Sequence, residues 1–316
     1  MFSTDWSEIR DLETSIRDFV TEARRREELV ARRADWNMLV SSLDAIGDTE
    51  LAIEAYTTHP EPSDDGQKYL LIYGILQTLF LQQDAVQHTI DSLQLQYDTR
   101  RDFHDIRQIR NKTAGHMTKL DRPKSLPQSS HHISRASMHG GYFQLLSTYE
   151  DGSVEFSSVS IRDLISKQRR AVKRILGQVV RALKEDEMAH RERFKDRRLL
   201  DIFSTTGYFL EKILMASHPN PSVDLPEAKS SLAAIGDHIA QFKQALEERG
   251  ILPAYDSTAY TLNELVYPLQ RLTDYFDSTS VLDVEAAYIF AFFVRAKVGE
   301  LQTIAKQIDE EYAQSL

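Results

Sequence analysis

The residues with the most chemical promise form one short run, Arg110-Asn111-Lys112-Thr113-Ala114-Gly115-His116. Arginine keeps its charge at any physiological pH and grips phosphate with a planar fork, while histidine is the side chain whose proton moves near neutral pH. Cleaving a phosphodiester needs both abilities, a base for the attacking hydroxyl and a cation for the charge that builds on the phosphoryl oxygens. On an α-helix six residues span ~9 Å and turn two side chains ~120° apart, so one chain alone makes a loose site. Arg110 and His116 flank the stripe Ile106, Ile109 and Thr113. A second copy packed antiparallel along that stripe would bring the Arg of one chain to the His of the other, so a homodimer is expected. The same residues admit a reading without chemistry, in which His116 is a helix C-terminal residue favoured by the macrodipole and Arg110 is a surface cation.

The elements that must position this run are helical. Trp6, Ile9, Leu12, Ile16, Phe19 and Val20 fall at helix spacing, and the pattern continues into the charged stretch at 24–28. Turn formers at 57–66 predict the first interruption. From 69 to 95 apolar density rises, predicting a core helix buried on more than one side, and a polar break at 98–102 leads into the helix that carries the motif. Residues 121–141, rich in Ser, Pro and His, read as a mobile loop. Apolar alternation around Asp151-Gly152 predicts one β-hairpin at about 142–159. A long helix follows from 160 to about 184, with a basic outer face. Further helices are expected near 199–217, 224–249, 257–276 and 281–313, separated by Pro-, Gly- and Ser-containing breaks. The fold class is therefore all-α, with one inserted β-hairpin and a C-terminal helical bundle, divided into domains at 1–192 and 193–316.

Composition narrows the function classes. Hydrophobic content of 41% and charged content of 27% describe a globular protein, and no apolar run approaches the ~20 residues that a membrane helix needs. Residues 1–8 lack a basic segment followed by an apolar one, so no secretory signal and a cytoplasmic location are expected. The absence of cysteine removes disulfides, thiol catalysis and thiolate metal sites together. A net charge of −10 argues against wholesale wrapping of nucleic acid, so any RNA contact must be local. No compact carboxylate cluster is offered to Mg²⁺, and no phosphate-binding glycine loop, Ser/His/Asp array or zinc-binding helix is present; neither a metal nor another cofactor is expected.

An apolar helix, a short break, then a helix bearing Arg, a polar residue, four more positions and His resembles the HEPN superfamily, whose diagnostic motif is Arg, four to six residues, His. The resemblance covers roughly residues 69–118 and extends through the helix ending near Lys184; the C-terminal third resembles no family. It implies an all-α fold and dimers in which two motifs face one cleft. It also implies either a metal-independent endoribonuclease of a bacterial toxin, stress or anti-phage system, or an inactive module that binds nucleic acid, a nucleotide or a protein. Carried over by position, Arg110 and His116 become the catalytic pair, with Asn111 and Lys112 as substrate-binding residues. His116 would take the proton of an RNA 2′-hydroxyl, which attacks the adjacent phosphate to leave a 2′,3′-cyclic phosphate, while Arg110 stabilises the phosphoryl oxygens. RNA and a second copy are the partners this implies, with an antitoxin or regulatory protein beside them and no membrane.

Other constellations carry less. His131, His132 and His139 could offer imidazoles to a metal or to RNA, but with no acid or cysteine nearby the reading is a solvated loop. The basic run Arg162, Lys167, Arg169, Arg170, Lys173, Arg174, Arg181 and Lys184 could attract phosphate, yet such faces usually serve solubility. Tyr288, Phe290, Phe292 and Phe293 lie within a helical pattern and read as core or subunit contact.

Overall fold

The structure, a computed structural model, describes residues 6–115, 129–252, 257–279 and 282–314. Two compact units divide it. The first comprises Met1–Thr21 and Leu29–Leu183, the second Glu22–Glu28 and Lys184–Leu316.

The first unit holds helices α1 (Ser7–Thr21), α3 (Arg33–Thr58), α4 (Asp65–Ser92) and α5 (Arg100–Arg110), a π-helical turn (Asn111–Gly115), strands β1 (Ser129–Ile133), β2 (Tyr142–Tyr149) and β3 (Val154–Ser160), and most of α6 (Ile161–Phe194). A short helix α2 (Ala23–Ala31) intervenes after α1. The uninterrupted helix expected before 57–66 is thus broken at residues 22 and 32, and residues 22–28 belong to the second unit. The break at 57–66 itself is present. The Asp64 carboxylate accepts the backbone N–H of Gln67 at 2.9 Å and caps α4, so the turn segment ends in a helix start.

Two apolar clusters form this unit's core. Ile46, Val86, Val172 and Leu176 belong to one, and Ile53, Leu79, Ile106, Phe143 and Ile165 to the other. At the level between them, α3, α4 and α6 each contribute a fully buried polar residue or pair: Glu50, Gln82 with Gln83, and Gln168. Gln82 Nε2 donates to Glu50 Oε1 at 2.8 Å, and Gln168 Nε2 donates to Gln82 Oε1 and to the Leu79 carbonyl, each at 2.8 Å. Gln83 Nε2 donates to Gln168 Oε1 at 2.7 Å. Arg169 reaches Glu50 at 3.1 Å while its guanidinium lies 4.2 Å from the centre of the Trp6 ring. Burial pushes the Glu50 carboxyl above its ordinary range, against the hydrogen bond from Gln82 and the charge of Arg169. Burying this layer is tolerable because most of its polar atoms pair within it, Gln83 Oε1 being the amide oxygen left without a partner among the described residues.

The sheet is antiparallel with order β1-β2-β3. Its hairpin matches the expected 142–159: Gly152 sits at φ +83°, a left-handed conformation that favours glycine, and the Asp151 carboxylate accepts the Ser153 N–H at 2.9 Å. The expected mobile loop is corrected in its last part, because residues 129–133 pair with β2 as a third strand. Residues 134–141 hold a 3₁₀ turn at Arg135–Ser137 and an isolated bridge from His139 to Tyr142, and residues 121–128 of that expectation lie outside the described residues.

In the second unit, α7 (Thr206–Ala216), α8 (Leu225–Glu248), α9 (Ser257–Phe276) and α10 (Val284–Ala313) pack around Leu210, Ile235, Phe242, Leu265, Val294 and Leu301. Asp224 and Asp283 cap α8 and α10 by accepting the N–H groups of Glu227 and Ala286 at 2.9 and 2.7 Å. The single helix expected at 199–217 divides into a 3₁₀ turn at Leu200–Phe203 and α7. The chain is therefore mostly helical with a small three-stranded sheet, and no helix among the described residues is long and apolar enough to cross a membrane.

Candidate functional site

Arg110 is the last residue of α5, and its surroundings come from both sequence neighbours and α4. Phe103 and Ile106, fully buried, fix α5 against the core. At Asn111 the backbone widens into a π turn through Gly115, a feature that often marks functional positions and that re-aims the side chains relative to a regular α-helix. The α-helical spacing assumed for the motif therefore applies only as far as Arg110.

The Arg110 guanidinium lies over the Phe80 ring at 4.3 Å. Its Nη2 donates to Gln77 Oε1 at 2.9 Å and its Nη1 to Asn111 Oδ1 at 3.1 Å. No carboxylate pairs with it among the described residues. Arg107, one turn earlier, stacks on the same ring at 4.7 Å but is neutralised by Asp84 at 2.5 Å. Two arginines share one aromatic ring, and among the described residues the second has no carboxylate against its charge. Gly115 completes the seat, because a Cβ there would stand 2.8 Å from Arg110 Nη1. Among the described residues buried Arg110 Nε has no hydrogen-bond partner, and neither does the hydroxyl of fully buried Thr113.

His116 lies outside the described residues, so the structure places one member of the Arg–His pair. Asn111 touches Arg110 directly, whereas Lys112 is half-buried and forms no ion pair among the described residues. The stripe offered to a second copy is corrected: Ile106 and Thr113 are buried, and Ile109 packs on the chain's own core. Ile106 and Thr113 are already covered by their own chain and offer no stripe to a second copy. Gln77 and Phe80 were not singled out from sequence. Their signal is the matching three-residue spacing of Gln77/Phe80 on α4 and Arg107/Arg110 on α5, which sets two cations over one ring.

The three loop histidines diverge. His131 is buried in β1, with Nδ1 2.8 Å from Ser147 Oγ and Nε2 3.1 Å from Ser129 Oγ, whereas His132 and His139 are exposed. Among the described residues no group of three or more His, Asp or Glu could hold a metal ion. On α6, Lys167 pairs with Asp105, Lys173 with Glu8, Arg174 with Asp102 and Arg169 with Glu50, so half of the basic run is engaged within its own unit. A cleft of about 390 Å³ is lined by Asp84, His88, Asp91, Asp98, Arg100 and Arg107 among others, and both arginines are already paired, with Asp98 and Asp84, which suits phosphate poorly. In the second unit Tyr288 and Phe290 pack on the core, while Phe292 stays half exposed beside Tyr288.

No family model matches this chain, and no curated protein or solved structure matches it significantly.

Proposed function

We propose that this protein is a HEPN-like, metal-independent endoribonuclease in which Arg110 and His116 form the catalytic pair. What supports the reading is the seat of Arg110: a guanidinium held by two neutral acceptors and an aromatic face, with no carboxylate paired to it among the described residues. Such a cation is preorganised for an oxyanion that develops during reaction, and it costs little to realign at that moment. His116, the residue after the π turn, removes the proton of a 2′-hydroxyl. The O2′–P bond then forms as the P–O5′ bond breaks, Arg110 stabilises the phosphoryl oxygens, and the 5′-oxygen leaves with a proton from water. The products are a 2′,3′-cyclic phosphate and a 5′-hydroxyl.

Two copies pair so that two motifs face one cleft, using a surface other than the buried stripe of Ile106 and Thr113. RNA is the substrate, a toxin, stress or anti-phage role in the cytoplasm is the setting, and an antitoxin or regulatory protein is the further partner. A second reading, an inactive helical module that binds through the same cleft, is favoured by one observation: both Nη atoms of Arg110 already have partners.

The test is to incubate the protein with mixed RNA in EDTA, beside His116→Ala. Cleavage that persists in chelator, leaves cyclic-phosphate ends and disappears with His116→Ala supports the ribonuclease. Intact RNA after prolonged incubation supports the binding module.

A further inference from the structure

The outward face of the three-stranded sheet is unlike the rest of this acidic chain. Burial alternates along β1 and β2, so Ser129, His131 and Ile133 point inward while the alternate residues face out. Across that outer face the register aligns His132 of β1, Leu146 of β2 and Phe156 of β3 in one row, and Phe156 is 63% exposed. The next row pairs Gln144 with Ser158, and the row after it pairs Tyr142, 50% exposed, with Ser160. A hollow of about 470 Å³ opens on this side, lined by Ser137, His139, Tyr142, Gln144 and Ser158 among others. His139 Nδ1 lies 2.8 Å from the Ser137 carbonyl oxygen, so it carries the donating hydrogen and a neutral ring leaves Nε2 as an acceptor.

We infer that this sheet face binds the unpaired bases of single-stranded RNA, with Phe156 and Tyr142 as stacking rings and Gln144, Ser158 and His139 as hydrogen-bonding partners for base edges. The choice of RNA rests on the ribonuclease reading; the platform itself rests on the sheet. Exposed aromatic rings on an open antiparallel sheet are a means of splaying single-stranded bases, because every base has a flat face. Tyr142 and Phe156 stand about 13 Å apart along the strands, from four residues at about 3.3 Å each, so they take different nucleotides. None of the residues just named is acidic in a chain of net charge −10, and at the Tyr142/Ser160 end the exposed Arg135 and Arg162, without an ion pair among the described residues, stand beside Asp163 and Glu61, whose carboxylate accepts the Gly140 N–H at 2.6 Å. Hydroxyls and an amide interleave the apolar side chains, which suits a base edge better than the apolar side of a partner helix.

The test is fluorescence anisotropy with a labelled, unstructured 2′-O-methyl oligonucleotide of about 12 nucleotides, which cannot be cleaved by 2′-hydroxyl attack. Full-length wild type, Phe156→Ser, Tyr142→Ser and Arg110→Lys are compared, with a duplex of the same sequence as competitor. Each stacking variant is expected to bind at least five-fold more weakly, in line with the loss of about 1–3 kcal/mol per stacked base, while the duplex competes poorly. Absence of binding by the wild type, equal binding by both stacking variants, or equal competition by duplex overturns the inference. So does a dimer-to-monomer shift on Phe156→Ser in light scattering, which assigns the face to a second copy. Oligonucleotide binding that needs Phe156, beside intact ordinary RNA in EDTA, would retain this site and refute the ribonuclease; cleavage indifferent to Phe156 would do the reverse.

Discussion

Replacing Gly115 by Ala should separate the stability of this protein from its activity. The new Cβ would stand 2.8 Å from Arg110 Nη1 and 3.4 Å from Asn111 Oδ1, and the guanidinium must retreat by about 0.6 Å to reach ordinary van der Waals contact. The obstacle is the far end of a flexible side chain, so the backbone need not move. Alanine gains up to about 1 kcal/mol over glycine in helical backbone. Against that stands a weakened Arg110–Asn111 hydrogen bond worth about 1 kcal/mol. The net change in stability should stay within about 1 kcal/mol, or about 2–4 °C in Tm. Activity has no such cancellation. A misplacement of about 1 Å can cost about a hundred-fold in rate, so a shift of about 0.6 Å should cost roughly ten-fold. Thermal melting and single-turnover RNA cleavage in EDTA measure the two quantities. Gly177→Ala on α6, whose Cβ would meet nothing within 4 Å, supplies the control and should be slightly stabilised with unchanged cleavage. Wild-type cleavage by Gly115→Ala would refute the argument that the observed seat of Arg110 is the working one, and a Tm loss well beyond 4 °C would show that Gly115 serves the backbone instead.

Other perturbations follow from buried polar groups. Thr113→Val removes a hydroxyl without a partner among the described residues at a fully buried position and should raise stability by about 1 kcal/mol in urea unfolding; a loss of that size would reveal a hydrogen bond to another part of the chain. Glu50→Ala leaves Arg169 without its carboxylate and should cost about 3–5 kcal/mol, with Glu50→Gln markedly milder. Both tryptophans, Trp6 and Trp36, lie in the first unit, so their fluorescence follows that transition, and equal costs for the two variants would count against the buried ion pair. In the second unit burial lowers the His190 pKa, and its Nε2 lies 2.9 Å from the Tyr312 hydroxyl, whose own pKa burial raises to about 12. His190 Nε2 and that hydroxyl share a hydrogen bond, and Arg24, Glu187, Arg193 and Asp186 supply the charges nearby. A depressed histidine pKa means that the folded state binds fewer protons, so the contribution is full above 6.5 and is lost as pH falls below it. Melting between pH 7.5 and 5 should show a smaller acid loss for His190→Gln than for wild type; parallel curves would exclude His190 as the group responsible.

What could be read from the chain follows from how strongly each element is written in apolar spacing. The core helix α4, the Asp-Gly hairpin and α9 at Ser257–Phe276 lie where apolar spacing and turn chemistry put them, since each has a single strong period and a clear stop. β1 was invisible because its inward positions hold Ser129 and His131, polar residues that are buried through hydrogen bonds to each other and to Ser147. The π turn was equally hidden, as no residue type marks it, and it alters where residues after Arg110 point. Arg110 itself was legible. Its seat was not, because Gln77 and Phe80 are 33 and 30 positions away and become neighbours only when α4 packs on α5. The apolar stripe Ile106-Ile109-Thr113 was visible, but periodicity alone does not say whether a stripe faces the chain's own core or a second copy.

The most direct test compares wild type and Arg110→Lys on the same RNA in EDTA, reading rate and end groups together. Lysine keeps the charge but loses the planar fork that stacks on Phe80 and donates to Gln77 and Asn111 at once. Rapid wild-type cleavage to 2′,3′-cyclic phosphate ends, with a loss of about a hundred-fold or more in Arg110→Lys, is the outcome expected of a preorganised phosphate-facing arginine. Equal rates for the two proteins, or no cleavage by the wild type, would contradict it.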